Sequence, residues 1–261
     1  MERTCLACGD PLAGGVATRE HVLAQWLAEC VELPDVSFNL YRHHEDGGSD
    51  ELLRSHGLNN LAIKRVCQRC NNGWMSRLED RAKPLLLDLM TVRRRLADLF
   101  VEERMIVAAW AAKTAFLLTS IQATPLDVPW HLLQELGRHE GTGPEGCYVL
   151  AAQLPSLPNG FLCACPTDLD TSGATVQVRV GLTINQLHFV VLIPTDVRPR
   201  VLRAPECYTP LWPLNLAILT RPTLTVPVVG ERDLINALTN AVEGGILERN
   251  ARPTVERVPS M

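Results

Sequence analysis

Cys67-Gln68-Arg69-Cys70-Asn71-Asn72-Gly73-Trp74-Met75-Ser76 is the stretch on which the reading of this chain turns. A Cys-x-x-Cys knuckle runs straight into an asparagine pair and then into a basic, amphipathic segment. Near the N-terminus stands one matching pair, Cys5-Leu6-Ala7-Cys8. Together the two pairs supply the four thiolates that a tetrahedral Zn²⁺ site takes. Gly9 follows the second cysteine and gives the knuckle the backbone freedom it needs. A lone Cys-x-x-Cys also reads as a redox motif, but that reading expects a βαβ context, and none is visible. The long gap between the pairs is no obstacle, because the chain between them can fold back as a hairpin or loop. Small modules of this kind draw much of their folding free energy from the metal.

Working outward, the composition sets bounds. The chain has 261 residues, 46% hydrophobic and 21% charged, enough for one large domain or two modest ones. A net charge of −4 and a pI near 6.0 exclude a global basic field, so a nucleic-acid partner has to be met by a local patch. No apolar run approaches the ~20 residues that span a bilayer, and the first residues hold no apolar signal core. Nine cysteines, an odd number, argue against a fully paired disulfide framework. The expectation is a soluble, cytoplasmic protein.

Upstream of the second knuckle, residues 16–21 read as a short strand ending in Glu20-His21, followed by an apolar, helix-spaced run over 22–27. Taken alone, Glu20-His21 also reads as an acidic first turn of a helix. Residues 31–57 are polar and turn-rich and read as a long loop. Within it His43-His44-Glu45-Asp46 is either a solvated cluster or a set of metal donors. Residues 58–66 read as a strand that delivers the chain to Cys67. From Asn71 the pattern is helical, with Trp74, Leu78, Ala82, Leu85 and Leu86 near 3.6-residue spacing and Pro84 marking a break or kink. Basic residues gather here: Lys64, Arg65, Arg69, Arg77, Arg81, Lys83 and Arg93 to Arg95. In an acidic protein this is either a polyanion-binding stretch, with Arg69, Arg77, Arg81 and Lys83 as the contacts, or a solvated helix face.

Cys5-x-x-Cys8, Glu20-His21, Asn59-Asn60-Leu61 and Cys67-x-x-Cys70-Asn71-Asn72, in that order, resemble the zinc-containing branch of the HNH endonucleases over roughly the first 80 residues. The resemblance implies a ββα-metal fold. It implies that His21 is the general base that activates water, that Glu20 and Asn71 hold a catalytic Mg²⁺ or Mn²⁺, and that Cys5, Cys8, Cys67 and Cys70 hold a structural Zn²⁺. Asn72 takes the place of Asn71 if the register slips by one. The family usually places its middle asparagine five residues before the third cysteine, and that position is Ala62 here. Asn60 lies two residues earlier, on the same strand face, and is the candidate to orient His21. The chemistry is consistent with these roles. An imidazole titrates near neutrality and suits proton abstraction. Carboxylate and amide oxygens suit a hard divalent ion, and thiolates suit zinc.

The rest of the chain carries fewer functional signals. Residues 102–122 form an Ala- and Leu-rich helix candidate, apolar all round except Lys113, which is expected at its surface. A short helix is expected over 129–138. Residues 147–153, 160–165, 174–182 and 186–193 alternate or run apolar and predict antiparallel strands, with a turn at Ile184-Asn185-Gln186. Cys163 and Cys165 read as buried thiols. A final helix is expected over 231–248, and 253–261 as a loose tail. The predicted class is α+β: an HNH module over 1–100, then a helical connector and a C-terminal antiparallel sheet over 101–261. The expected function is a metal-dependent endonuclease acting on DNA rather than RNA, with a role in defence against foreign DNA. The alternatives are a zinc-stabilised nucleic-acid-binding module that does not cut, and small-molecule chemistry on the same fold.

Overall fold

The structure is a computed structural model. It describes residues 3–12, 17–30, 37–42, 51–57, 61–121, 128–140, 142–154, 161–164, 167–169, 175–194, 200–205, 207–213, 218–221 and 243–246. The chain mixes helices and strands as the pattern predicts. In the N-terminal part β1 (Ala17–His21) pairs antiparallel with β4 (Ala62–Cys67), with Ala17 opposite Cys67 and His21 opposite Ala62. Between them lie α1 (Gln25–Cys30) and a hairpin of β2 (Ser37–Arg42) and β3 (Glu51–Gly57). That hairpin corrects the expectation of a loop over 31–57. The run Ser-Phe-Asn-Leu from Ser37 alternates polar and apolar residues, and this short strand signal was outweighed by the turn-rich sequence around it.

From Cys67 the chain enters a helix at once: α2 (Gln68–Cys70), a π-turn over Asn71–Met75, then α3 (Ser76–Met90). Regular helical geometry breaks at Gly73 (φ −96°, ψ −113°). The predicted break at Pro84 does not occur, since α3 runs through it to Met90. Proline forfeits one backbone bond there, while Ala82, Leu86 and Leu89 are fully buried and hold the helix against the core.

The central helix α4 (Val101–Thr119) is buried continuously from Val107 to Thr119. It packs against α3, α5 (Trp130–Arg138), and the sheet strands β5 (Tyr148–Gln153), β8 (Thr175–Ile184), β9 (Leu187–Pro194) and β11 (Thr209–Trp212). A helix with neighbours on every side has no face left for water, which explains its uniform hydrophobicity. The six-stranded sheet is antiparallel throughout, in the order β11-β5-β9-β8-β6, where β6 is Phe161–Ala164 and β7 (Thr167–Leu169) adds onto β8. Trp110 of α4 meets Phe189 of β9 at 6.0 Å between ring centroids. One buried cluster runs from Cys5 to Leu211, so the N-terminal part and the sheet share a core. Gln153 joins them through polar contacts as well: its amide accepts from Leu96 N and donates to the Leu89 and Arg94 carbonyls.

A second, small sheet places β10 (Arg200–Pro205) between β12 (Ile218–Arg221) and β13 (Glu243–Ile246). β13 corrects the expected final helix over this stretch: Gly244 and Gly245 oppose helix formation, and the segment pairs antiparallel with β10. The His43–Asp46 cluster, Asn59, Asn60, Cys165 and the 253–261 tail lie outside the described residues, as does the side chain of Cys163.

His188 on β9 is fully buried. Its Nδ1 lies 2.8 Å from the Thr183 hydroxyl across the β8–β9 pair, and Nε2 has no partner among the described residues. Burial drives its pKa down to about 3 from an ordinary 6.5. The unfolded chain therefore binds a proton between pH 6.5 and 3 that the folded chain refuses, so stability is full above pH 6.5 and falls as pH drops through that window. We expect a loss on the order of 2–3 kcal/mol between pH 7 and 4.5 from this residue. Urea unfolding at both pH values, with His188→Leu as reference, measures it; an unchanged difference in the variant would refute the assignment.

Candidate metal centre and active site

The first knuckle is a tight loop fixed by its own backbone. Cys5 N donates to Asp10 O, Gly9 N donates to Cys5 O, and a bridge joins Thr4 and Pro11. Gly9 sits at φ +82°, the left-handed region that favours glycine. Leu6 N donates to Arg65 O at 2.9 Å, which lashes the loop to β4 just before the second knuckle. The four sulfurs of Cys5, Cys8, Cys67 and Cys70 consequently lie within 4.8 Å of one another, and none is in a disulfide. Cys8 Sγ and Cys67 Sγ are 3.8 Å apart. A tetrahedron with Zn–S arms of about 2.3 Å has edges of about 3.8 Å, so the spacing fits zinc.

The electrostatics point the same way. Burial pushes the Cys8 thiol up to about 11 and raises Cys70 further, beyond the range where either ionises unaided. Cys67 is also pushed up by burial, but hydrogen bonds from the Cys70 backbone and from the neighbouring thiols bring it below the ordinary value. Cys67 N further donates to Cys5 Sγ at 3.3 Å. A divalent cation at the centre of the four sulfurs converts the resisting thiols of Cys8 and Cys70 to thiolates, with release of protons.

The ribbon and helix distribute the remaining predicted residues. Glu20 and His21 are adjacent on β1 and therefore face opposite ways. Glu20 is buried, 7% exposed, and points at α3 and α4. There Lys113 Nζ bonds Glu79 closely and reaches Glu20 Oε1 at 4.0 Å, while Trp26 Nε1 donates to Glu79 Oε2 at 3.1 Å. Lys113 is 1% exposed, which corrects its expected surface position. An ammonium is tolerated inside α4 because two carboxylates meet it. Two carboxyl groups thus share the one ammonium. Burial raises the Glu20 pKa to about 7, with Lys113 lowering it and Glu79 raising it.

His21 is half-buried at the end of β1, and the Gln25 amide nitrogen lies 3.3 Å from its Nε2. Directly across the ribbon stands Ala62, whose methyl group offers no hydrogen bond. Asn71 donates from Nδ2 to Thr18 Oγ1 at 3.0 Å, and that hydroxyl donates to Val66 O. Among the described residues, Asn71 Oδ1 has no hydrogen-bond partner. Of the basic residues, Arg69 pairs with Asp10 at 2.5 Å and Arg77 makes a two-pronged contact with Glu140. Arg81 is exposed on α3, and Lys83 lies 5.7 Å above the Trp26 ring. Sequence reasoning did not assign Glu79 or Gln25, nor the α5 end that brings Gln134, Arg138 and Glu140 beside the knuckle. No spacing rule marks such long-range neighbours. Comparison with family models, curated proteins and solved structures returns no match. Among the described residues, no helix is long and apolar enough to cross a membrane.

Two predictions follow from this geometry. About one equivalent of zinc copurifies with the protein, and Cys67→Ser loses both metal and soluble yield; a variant that keeps the full equivalent by elemental analysis would contradict the four-thiolate assignment. Lys113→Met strands two carboxylates and lowers unfolding free energy by about 3–5 kcal/mol. Adding Glu20→Gln and Glu79→Gln recovers most of that loss in chemical denaturation. A Lys113→Met protein within 1 kcal/mol of the parent, on the order of a surface substitution, would show that the cluster carries no weight.

Proposed function

We propose that the protein is a zinc-stabilised, HNH-type endonuclease that hydrolyses phosphodiester bonds, with DNA its substrate before RNA. The observation that carries the reading is the four-cysteine cluster, which gathers an antiparallel ribbon and the helix leaving Cys70, with a half-buried histidine closing the first strand. A strand closed by a histidine, an antiparallel partner strand and a helix after the second knuckle are what the ββα-metal resemblance calls for.

In this reading His21 is the general base. Water displaces the Gln25 amide from the ring, which accepts a proton from it as the water oxygen bonds to phosphorus and the P–O bond to the leaving oxygen breaks. The Glu20 carboxylate and Asn71 Oδ1 are the hard donors for a Mg²⁺ or Mn²⁺ ion. Such an ion, when bound, stabilises charge on the phosphoryl oxygens. Arg81 on the exposed side of α3, with Arg69, Arg77 and Lys83 along the same stretch, meets backbone phosphates. Contacts of that kind position a strand without reading its sequence. A role in defence against foreign DNA accords with low sequence specificity.

A second reading, a nucleic-acid-binding module that does not cut, is favoured by the burial of Glu20 and by Ala62 opposite His21. One experiment separates the two. The purified protein is incubated with supercoiled plasmid in Mg²⁺ or Mn²⁺ beside His21→Ala. Metal-dependent nicking that drops at least a hundredfold in the variant, the scale of a lost general base, supports the nuclease. Retarded mobility without nicking supports the binding module, and neither effect removes both.

A further inference from the structure

On the flank of the zinc knuckle, between the first knuckle, the Gly73 turn and the end of α5, opens a cleft of about 340 Å³. That is the size of a small-molecule site. Three guanidinium groups line it, Arg69, Arg77 and Arg138, with one carboxylate, Glu140, and the sulfurs of Cys8 and Cys70 beside them. Arg69 and Arg77 are already engaged by Asp10 and Glu140. The side chains of Arg138 and Gln134 make no hydrogen bond or ion pair with any described residue. Trp74 forms part of the wall, 7% exposed, and its indole Nε1 has no acceptor among the described residues. Gly137 makes this arrangement possible: a Cβ there would stand 2.7 Å from the indole nitrogen. At Gly73 the wall is open, with no atom within 4 Å of where a Cβ would project.

This is an unusual mixture for a solvated surface. Guanidinium forks match phosphate, and a primary amide matches the donor and acceptor edge of a base. We propose that the cleft is a subsite for one unpaired nucleotide of the substrate strand, separate from the position where the strand is cut. The proposal rests on the nucleic-acid reading above and narrows it. The separation rests on the lining, which includes none of Glu20, His21 and Asn71. A cleft of this volume admits one nucleotide and not a stacked base pair, so the preferred substrate has an unpaired base there, as at an overhang or flap.

Fluorescence anisotropy with a labelled single-stranded 12-mer and a blunt duplex of equal length tests this on full-length His21→Ala protein, with plasmid nicking by the parent chain run in parallel. The proposal requires at least tenfold tighter binding of the single strand. Arg138→Glu should abolish that preference, and Gln134→Ala should weaken binding severalfold. Glu140→Gln should tighten it by removing the one carboxylate and freeing Arg77. Melting temperatures confirm that each variant is folded. Equal affinity for strand and duplex, or indifference to Arg138→Glu and Glu140→Gln, overturns the subsite while nicking leaves the nuclease reading standing. Competition by inorganic phosphate as effective as by a nucleoside monophosphate also overturns it, since the base would then contribute nothing. A chain that neither nicks plasmid nor binds either DNA removes the nucleic-acid reading and the subsite together.

Discussion

The constraint on which the N-terminal half depends is the meeting of four sulfurs from two knuckles separated by 59 residues between Cys8 and Cys67. Closing a loop of that length costs about 4 kcal/mol of chain entropy on the scaling for a cross-link. Backbone bonds begin the work. Leu6 donates to Arg65, and the knuckle closes on itself through Cys5, Gly9 and Asp10. Burial of Cys5, Leu6 and Ala7 in the shared core adds to this. A metal ion bound by the four sulfurs would supply further folding free energy. Once the two knuckles are joined, the first turn of the helix after Cys70 has only one direction to take, and Asn71 is delivered to β1.

The second junction is electrostatic. Lys113 reaches out of the otherwise apolar α4 toward β1 and α3, and meets a carboxylate from each. This is weak evidence for net stability, since burying three charges carries a large desolvation penalty. Its effect is on orientation: the ribbon and α3 can slide along an apolar helix, but they cannot slide away from a buried ammonium. The module is thereby set in one register on the central helix, which the sheet covers from the other side.

What the sequence made legible follows from the range of the interactions involved. The cysteine pairs, the antiparallel strands β5, β8 and β9, and the helices α4 and α5 are written in local spacing and periodicity, which a single chain displays openly. The hairpin β2–β3 and strand β13 were obscured because turn-rich or polar neighbours swamp a period of two over so few residues. Lys113 was misplaced for a different reason. Helical periodicity says that a lone lysine on an apolar helix belongs at the surface, and only the arrival of Glu20 and Glu79 from segments far away in sequence reverses that. The role of Asn71 depends likewise on Thr18, a residue carrying no motif.

The tension at the proposed site comes from strand geometry itself. Neighbouring residues on a strand face opposite ways, so a motif that places its carboxylate and its histidine side by side must gather them again around one phosphate. Here a register irregularity between Thr18 and Glu20 sharpens the local twist of β1, and His21 is the last residue of the strand, where the backbone is free to turn. Glu20 meanwhile faces Lys113 at 4.0 Å, the outer limit of an ion pair, while Glu79 takes the ammonium closely. Glu20 is thus the less satisfied of the two carboxylates, in a place where burial penalises its charge. A divalent ion beside it would favour its ionised form and be repelled by Lys113, and the nearer pairing of Lys113 with Glu79 weakens that repulsion. The same asymmetry that leaves Glu20 poorly satisfied as a structural residue suits it to be a ligand.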